Sequence, residues 1–147
     1  RNHPSSVFPW KRPRLTPNPA IAVLKDSSVM PFGTPGADVQ TQAMLQVLLN
    51  IVDFNIPLQE AVELPRFASY DAPDSFEPHQ YQRRLLKIEE DVDNRVRETL
   101  VDYGHLVESW PRHTWKAGAV CAILNQSNPR LLLGAADPRR PCLALGF

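Results

Sequence analysis

The sequence of 147 residues predicts an α/β domain in which a layered sheet packs against helices. Two observations predict this class: strand patterns lie towards both ends of the chain, and helical patterns lie between them. A third is a long central helix with few polar positions. A helix that is apolar around most of its circumference is expected to be buried on most sides.

The strands are predicted from short apolar runs bounded by turn residues. Near the N-terminus, residues 20–24 and 29–32 predict a hairpin around Lys25-Asp26-Ser27-Ser28. The segment 125–129, Asn-Gln-Ser-Asn-Pro, predicts a second hairpin turn near the C-terminus. The remaining strands are predicted at residues 85–88, 106–110, 117–124 and 130–135.

The central helix is predicted from about residue 38 to residue 54. Its polar side chains follow one narrow stripe at positions i, i+4, i+8 and i+11. A shorter helix over 58–64 ends before Pro65, and a third runs from Asp91 to Tyr103. Residues 67–77 are predicted to be irregular. The stripe on the central helix consists of Gln42, Gln46, Asn50 and Asp53.

The chain is predicted to be a single-domain fragment over residues 1–147, with an extended N-terminal segment. Residues 1–19 hold five prolines, which prevent a regular helix there. We expect this proline-rich segment to pack on a partner. The sequence does not begin with Met and carries no signal-peptide pattern, which indicates a processed or excised piece.

Composition excludes several classes of function. Acidic and basic side chains balance at 16 each, so no net field attracts nucleic acid or an anionic membrane. No apolar run approaches the roughly 20 residues of a membrane span. The histidines and cysteines lack metal-ligand spacing, so neither a metal nor a cofactor is predicted. Cys121 lies in an apolar run and is expected to be buried. The two cysteines leave the compartment of the protein, cytoplasmic or periplasmic, open.

The strongest candidate for chemistry is Gly33-Thr34-Pro35-Gly36-Ala37-Asp38, between a strand and the central helix. Glycines allow close backbone approach, and a helix start presents unpaired N–H groups that favour an anion or a developing oxyanion. Taken alone, the motif is more often a tight strand-to-helix turn without a ligand.

Two charged segments and one histidine leave similar alternatives. The basic residues of 11–16 could hold a substrate carboxylate, or form a solvated surface or a subunit contact. For Asp137-Pro138-Arg139-Arg140 a structural turn with salt bridges is favoured. A structural role is likewise favoured for His79 over a catalytic one.

Four segments, in order along the chain, together resemble the γ-glutamyltranspeptidase family. Residues 11–20 resemble its substrate loop, and residues 32–40 its Gly-Thr/Ser-Pro-Gly-Gly loop. Residues 58–67 are similar to its helix ending in Pro-Arg, and residues 134–140 to its C-terminal signature. The Asp-Val-Gln after the loop and the segment 75–79 look most like the bacterial branch, which includes acylases and oxamate amidohydrolases.

The resemblance implies a place in a larger enzyme. The family fold is the four-layer αββα sandwich of N-terminal-nucleophile (Ntn) hydrolases, made as a precursor that cleaves itself. The new small subunit begins with a Thr that is the nucleophile and whose freed α-amine is the base. The resemblance places that Thr ahead of Arg1, so this chain is expected to be the C-terminal part of the small subunit. Its implied partners are the large subunit and the Thr-bearing segment.

The resemblance also implies site residues. Gly36 and Ala37 would supply the oxyanion-hole N–H groups, although the second position is usually Gly. Substrate contacts are expected at Arg14, Leu15 and Thr16. Well-known transpeptidases carry a Ser-Ser pair at the last two positions, and only Thr16 keeps a hydroxyl. The expected activity is therefore γ-glutamyl transfer or hydrolysis of another amide; the alternative is a noncatalytic assembly or binding relic.

Overall fold

The structure is a computed structural model that describes residues 3, 6–12, 16–127 and 129–146. Short 3-10 helices at Ala37–Val39 and Trp115–Ala117 accompany ten α-helices and β-strands in its described part. In chain order these are β1 (Ala20–Val23), β2 (Val29–Gly33), α1 (Gln40–Val52), α2 (Leu58–Glu63), β3 (Phe67–Ser69), β4 (Leu85–Glu89), α3 (Asn94–Asp102), β5 (Leu106–Trp110), β6 (Cys121–Gln126) and β7 (Leu131–Ala135).

Two sheets make this a mixed α/β fold, as the sequence predicts. The larger sheet is antiparallel with the order β1-β2-β6-β7, and it contains both predicted hairpins. Its inner face carries Met30 and Phe32 from β2 and Ala122 and Leu124 from β6, which belong to the same core as residues of α1 and α2. The smaller sheet has the order β3-β4-β5, with β4 and β5 parallel.

The central helix begins later and is less buried than its apolar composition predicts. The residues before Gln40 form a 3-10 turn, so α1 covers 13 residues. Ala43, Met44 and Val47 pack into the core, whereas Leu45 is 55% exposed. In the described part of the chain, α1 therefore buries one face, and the prediction of burial on most sides is wrong here.

Two residues of the polar stripe, Gln42 and Gln46, bind the edge of the smaller sheet. The Gln42 side-chain amide donates to the Ser69 carbonyl at 3.0 Å, and its oxygen accepts from the Ser69 N–H at 2.7 Å. One turn later, Gln46 makes the same pair of bonds to Phe67, at 2.9 and 3.1 Å. The two glutamines thus supply the hydrogen bonds that a fourth strand would give β3.

Replacing Gln42 should therefore loosen β3. We expect Gln42→Met to lower the free energy of unfolding by about 1–3 kcal/mol, because two backbone groups of Ser69 lose their partners. Gln40→Met is the matched control, since Gln40 makes no side-chain hydrogen bond within the described residues. Equal urea midpoints for the two variants would show that the glutamine pair does not hold the strand.

Two strand predictions need correction. Residues 67–77 were expected to be irregular, yet Phe67–Ser69 forms β3, whose pairing partners lie far away in the sequence. The strand predicted at 117–124 begins only at Cys121, because Gly118 adopts a left-handed φ of 81° that a strand cannot contain. Cys121 is exposed, which corrects its predicted burial.

A buried charge network joins three distant segments of the chain. Arg66 donates to Asp137 at 2.5 Å, and Arg139 contacts both Asp137, at 3.1 Å, and Glu89. All four side chains are almost completely buried. Burial lowers the pKa of Arg66, although Asp137 opposes this shift. The structural salt-bridge role predicted for the C-terminal turn is confirmed.

The network also fixes the segment that precedes β6. The Asp137 carboxylate accepts from the Val120 N–H at 2.9 Å, and Glu89 accepts from the Thr114 N–H at 3.0 Å. Residues 114–120 are therefore held at both ends. This segment contributes Trp115 and Lys116 to the cavity described next.

Candidate functional site

The turn between β2 and α1 has two residues with positive φ, of which only one is a glycine. Gly36 has φ 139° and ψ 21°, a conformation that L side chains rarely adopt. Ala37 follows with φ 50°, in the left-handed region, at a cost of about 1–2 kcal/mol for a residue with a Cβ. The turn is thus held in a strained form by its surroundings.

Thr34 and Gly118 hold this turn in place. The Thr34 hydroxyl donates to the Pro35 carbonyl at 2.7 Å and accepts from the Ala119 N–H at 2.6 Å. A Cβ on Gly118 would lie 2.8 Å from that hydroxyl oxygen, so only glycine fits there. A Cβ on Gly36 would in turn lie 3.5 Å from the Gly118 Cα, so the two loops are in direct contact.

The turn presents two backbone donors beside a cavity. Within the described part of the chain, neither the Gly36 N–H nor the Ala37 N–H donates a hydrogen bond. Both residues line a cavity of about 900 Å³. Two adjacent unpaired N–H groups at the start of a helical segment are suited to an oxyanion or another negative group.

Aromatic and basic side chains line the rest of this cavity. Tyr70 and Trp110 pack edge to face with centroids 6.3 Å apart, and the Lys87 ammonium lies 5.2 Å from the Tyr70 ring. Burial raises the pKa of Tyr70, as do Asp74 and Glu108. On another wall, the Arg140 guanidinium lies 5.7 Å from the Trp115 ring. The lining is thus mixed: aromatic rings stand beside amide and charged side chains, which can orient a polar ligand.

A loop after β3 is tied to the turn by Asp38. The Asp38 carboxylate accepts from both the N–H and the hydroxyl of Ser75, at 2.8 and 2.5 Å. The His79 ring nitrogen Nδ1 lies 2.7 Å from the Asp74 carbonyl oxygen. This bond to the backbone of its own loop supports the structural role predicted for His79.

Thr16 lies near the turn at Gly36 and Ala37. With Ala37, Asp38 and Ser75 it lines a second cavity of about 350 Å³, which shares several residues with the larger one. Arg14 and Leu15, the other residues with a predicted substrate role, lie outside the described residues. The predicted turn and one predicted contact residue are therefore neighbours.

Sequence reasoning did not find the cavity walls. Their residues come from separate elements and share no local motif, so only the fold brings them together. The single local signal was Lys116-Ala117-Gly118, where a glycine interrupts an otherwise strand-like run. The wall residues missed in this way include Tyr70, Lys87, Trp110, Trp115, Lys116 and Arg140.

Comparison with known proteins identifies the family. The model of the gamma-glutamyltranspeptidase family matches residues 1–147, the whole chain. The chain belongs to this family. The four segments that resemble it in sequence accordingly include the turn at Gly36 and two parts of the buried charge network, at Arg66 and at Asp137 and Arg139.

Curated members of the family with different activities are similar to this chain. An oxamate amidohydrolase proenzyme from Klebsiella pneumoniae is 32% identical over 99% of this chain and 26% of its own length. An acylase ACY 1 proenzyme from a Pseudomonas species is 31% identical over 80% of this chain and 18% of its own length. The chain thus spans about a quarter or less of the relatives it matches.

Solved structures support the fold. The gamma-glutamyltranspeptidase from Pseudomonas nitroreducens, complexed with L-DON, superposes on all of this chain and 70% of its own with a TM-score of 0.70, at 24% identity. A mutant of the enzyme from Helicobacter pylori covers 91% of this chain and 66% of its own, with a TM-score of 0.68 at 28% identity.

Within the described residues, no helix is long and apolar enough to cross a membrane.

Proposed function

We propose that this chain forms the oxyanion-binding part of the active site in an Ntn amidohydrolase or acyltransferase. The observation that supports this best is the pair of unpaired N–H groups of Gly36 and Ala37 beside the larger cavity. Membership in the family provides the reaction class. The nucleophilic Thr would come from a segment outside this chain.

In the proposed reaction, that Thr attacks the carbonyl carbon of an amide, and its own α-amine takes the hydroxyl proton. The carbonyl oxygen becomes negative and accepts hydrogen bonds from the Gly36 and Ala37 N–H groups. The tetrahedral intermediate then expels the amine, which takes up the proton held by the α-amine of the Thr. The resulting ester of Thr passes its acyl group to water in hydrolysis, or to a second amine in transfer.

For the substrate, we propose a small amide whose acyl group contacts Thr16. The Thr16 hydroxyl can donate to a carboxylate or accept from an amide. Its neighbour Leu15 has no such group, which weakens the case for a γ-glutamyl donor and favours another amide. The similar proteins named oxamate amidohydrolase and acylase support this second candidate.

The partner proposed for this chain is the large subunit together with the Thr-bearing segment. The outer face of the larger sheet exposes large apolar side chains, with Ile21 71% and Val23 73% exposed. Ile123 and Leu132 extend the same face. Covering these side chains with a second sheet would complete a four-layer αββα sandwich.

The N-terminal segment also has exposed apolar side chains, among them Trp10, and its packing on a partner remains a prediction.

The experiment that tests the proposal is purification of the protein with any segment that accompanies it, followed by assay with three amides. A γ-glutamyl anilide, oxamate and a cephalosporin side-chain amide distinguish the substrate candidates. We expect hydrolysis of at least one, lost when the first Thr of the accompanying segment is changed to Ala. Hydrolysis that survives this change would contradict the proposed nucleophile, and no hydrolysis of any amide would favour the noncatalytic alternative.

A further inference from the structure

The buried charge network uses only one of the two adjacent arginines at the C-terminal turn. Arg139 donates to Glu89, to Asp137 and to two backbone carbonyls. Arg140, the next residue, lines the larger cavity instead. Within the described residues its side chain makes no hydrogen bond and no ion pair, and its Nε is buried without an acceptor. A buried donor without an acceptor is unusual in a folded protein and calls for a partner from outside these residues.

The surroundings of Arg140 hold its charge in place without neutralising it. The guanidinium carbon lies 5.7 Å from the centre of the Trp115 ring, within the range of a cation–π contact. An aromatic ring attracts the charge, but it does not take up the five N–H donors as a carboxylate can. Lys116, next to Trp115, is exposed and adds a second cation to this part of the lining. Trp115, Lys116 and Arg140 are called the basic wall below.

The other charged side chains that line the larger cavity already have partners. The Asp74 carboxylate accepts from the Phe76 N–H at 2.8 Å. Lys87 pairs with Glu108 at 3.0 Å. Asp38 binds the loop after β3, as described above. The basic wall is therefore the part of the lining whose positive charge no described residue balances.

The basic wall and Thr16 belong to two cavities that meet at the turn before α1. Thr16 lines the second cavity, the basic wall lines the larger one, and Ala37 lines both. Gly118 contacts Gly36 in this turn, and the Lys116 Cα lies within about 7 Å of the Gly118 Cα because two residues separate them. A substrate whose carbonyl oxygen binds at the turn and whose acyl group reaches Thr16 thus has its amine half in the larger cavity.

We propose that the basic wall binds a carboxylate on the amine half of the substrate, and that Arg140 determines this specificity. The inference rests on the proposed function, because the turn and Thr16 orient the amide. A carboxylate can accept two parallel N–H bonds from a guanidinium, whereas the Lys116 ammonium supports the same group as a point charge. The site therefore favours amides of an amino acid or another amino carboxylate over amides of ammonia or an uncharged amine.

The first test uses two amides that share one hydrolysable acyl group and differ only in charge, a 4-carboxyanilide and a 4-carbamoylanilide. Both are assayed with the protein purified with its accompanying segment. We expect a KM at least about tenfold lower for the carboxyanilide, because a charge-assisted hydrogen bond binds only this amine half. Arg140→Gln should remove this difference by raising the KM of the carboxyanilide, with the carbamoylanilide unchanged and kcat nearly constant.

Two variants control for charge and for folding. Arg140→Lys keeps the charge and loses the planar pair of donors, so its KM for the carboxyanilide should lie between those of the other two proteins. Arg130→Gln removes an exposed arginine that lines neither cavity, and it should behave like the unaltered protein. Equal KM values for the two anilides in the unaltered protein would overturn the proposal. An equal effect of Arg140→Gln on both anilides, or loss of the accompanying segment from this variant, would place Arg140 against the partner and overturn it too.

Direct binding separates this inference from the proposed catalysis. The released amines, 4-aminobenzoate and 4-aminobenzamide, are titrated into the same protein by isothermal titration calorimetry. We expect 4-aminobenzoate to bind at least about tenfold more tightly, and Arg140→Gln to abolish the difference. If this difference is found but neither anilide is hydrolysed, the carboxylate subsite stands and the proposed catalysis fails. Hydrolysis of both anilides without any difference in binding would leave the proposed function standing and overturn the subsite.

Discussion

Asp137→Asn should lower the free energy of unfolding by about 3–5 kcal/mol, because it leaves two buried arginines beside a single carboxylate. The Asp137 side chain is completely buried. One of its oxygens accepts from Arg66 and the Val120 N–H, and the other accepts from the side chain and the N–H of Arg139. An asparagine would place its NH₂ group against two of these donors.

Asp91→Asn is the matched control. Asp91 pairs with Arg112 at 3.0 Å, but both side chains are substantially exposed to water. Exposed ion pairs contribute about 0–1 kcal/mol, so the same change of carboxylate to amide should have little effect here. Urea denaturation followed by circular dichroism measures both. A loss at Asp137 as small as that at Asp91 would mean that the network does not support the fold.

The network also connects stability to the site. Asp137 and Glu89 hold residues 114–120 at both ends, and this segment carries Gly118 against the turn at Gly36. Loss of the network should therefore disturb the cavity wall as well as the core. This link explains in physical terms why Asp137 near the C-terminus and Arg66 after α2 can matter to a cavity that neither of these two side chains lines.

Local pattern predicted those parts of the fold whose hydrogen bonds are local. Both hairpins join strands with short turns, and α1 has a helical period over thirteen residues, so the sequence contains their signals. The strand β3 could not be predicted in this way. It is three residues long and is held on one edge by Gln42 and Gln46, 27 and 21 residues away in the sequence.

In the candidate site, too, only the features that depend on local sequence could be predicted. The turn at Gly36 was predictable because glycines between a strand and a helix permit the backbone conformations that a tight turn needs. The left-handed φ of Ala37 was not, since an alanine gives no signal for it, and the turn around it packs against Gly118 from a distant loop. The exposure of Leu45 and Ile21 could not be predicted from the sequence pattern either. Tertiary structure, and not periodicity, decides whether an apolar residue packs against its own chain or against a partner.

Gly36→Ala should reduce the amide hydrolysis proposed for this protein by at least about a hundredfold. Alanine cannot readily adopt φ 139°, so the turn must rotate and carry the N–H groups of Gly36 and Ala37 away from the oxyanion. Loss of one oxyanion donor costs about 2.7–4 kcal/mol in transition-state stabilisation. Because the donors act on the transition state, kcat should fall while KM changes little.

Gly33→Ala, at the other end of the same turn, is the control for this change. Its φ lies outside the left-handed range, and a Cβ there would meet its nearest atoms at 3.8 and 4.0 Å, which is ordinary contact. It should therefore keep most of the activity. Ala37→Gly tests the same point from the opposite side, since it retains both donors and removes the Cβ from a left-handed residue. If Gly36→Ala retains the kcat of the unaltered enzyme, the oxyanion is bound elsewhere, and Gly36 only permits a tight turn before α1.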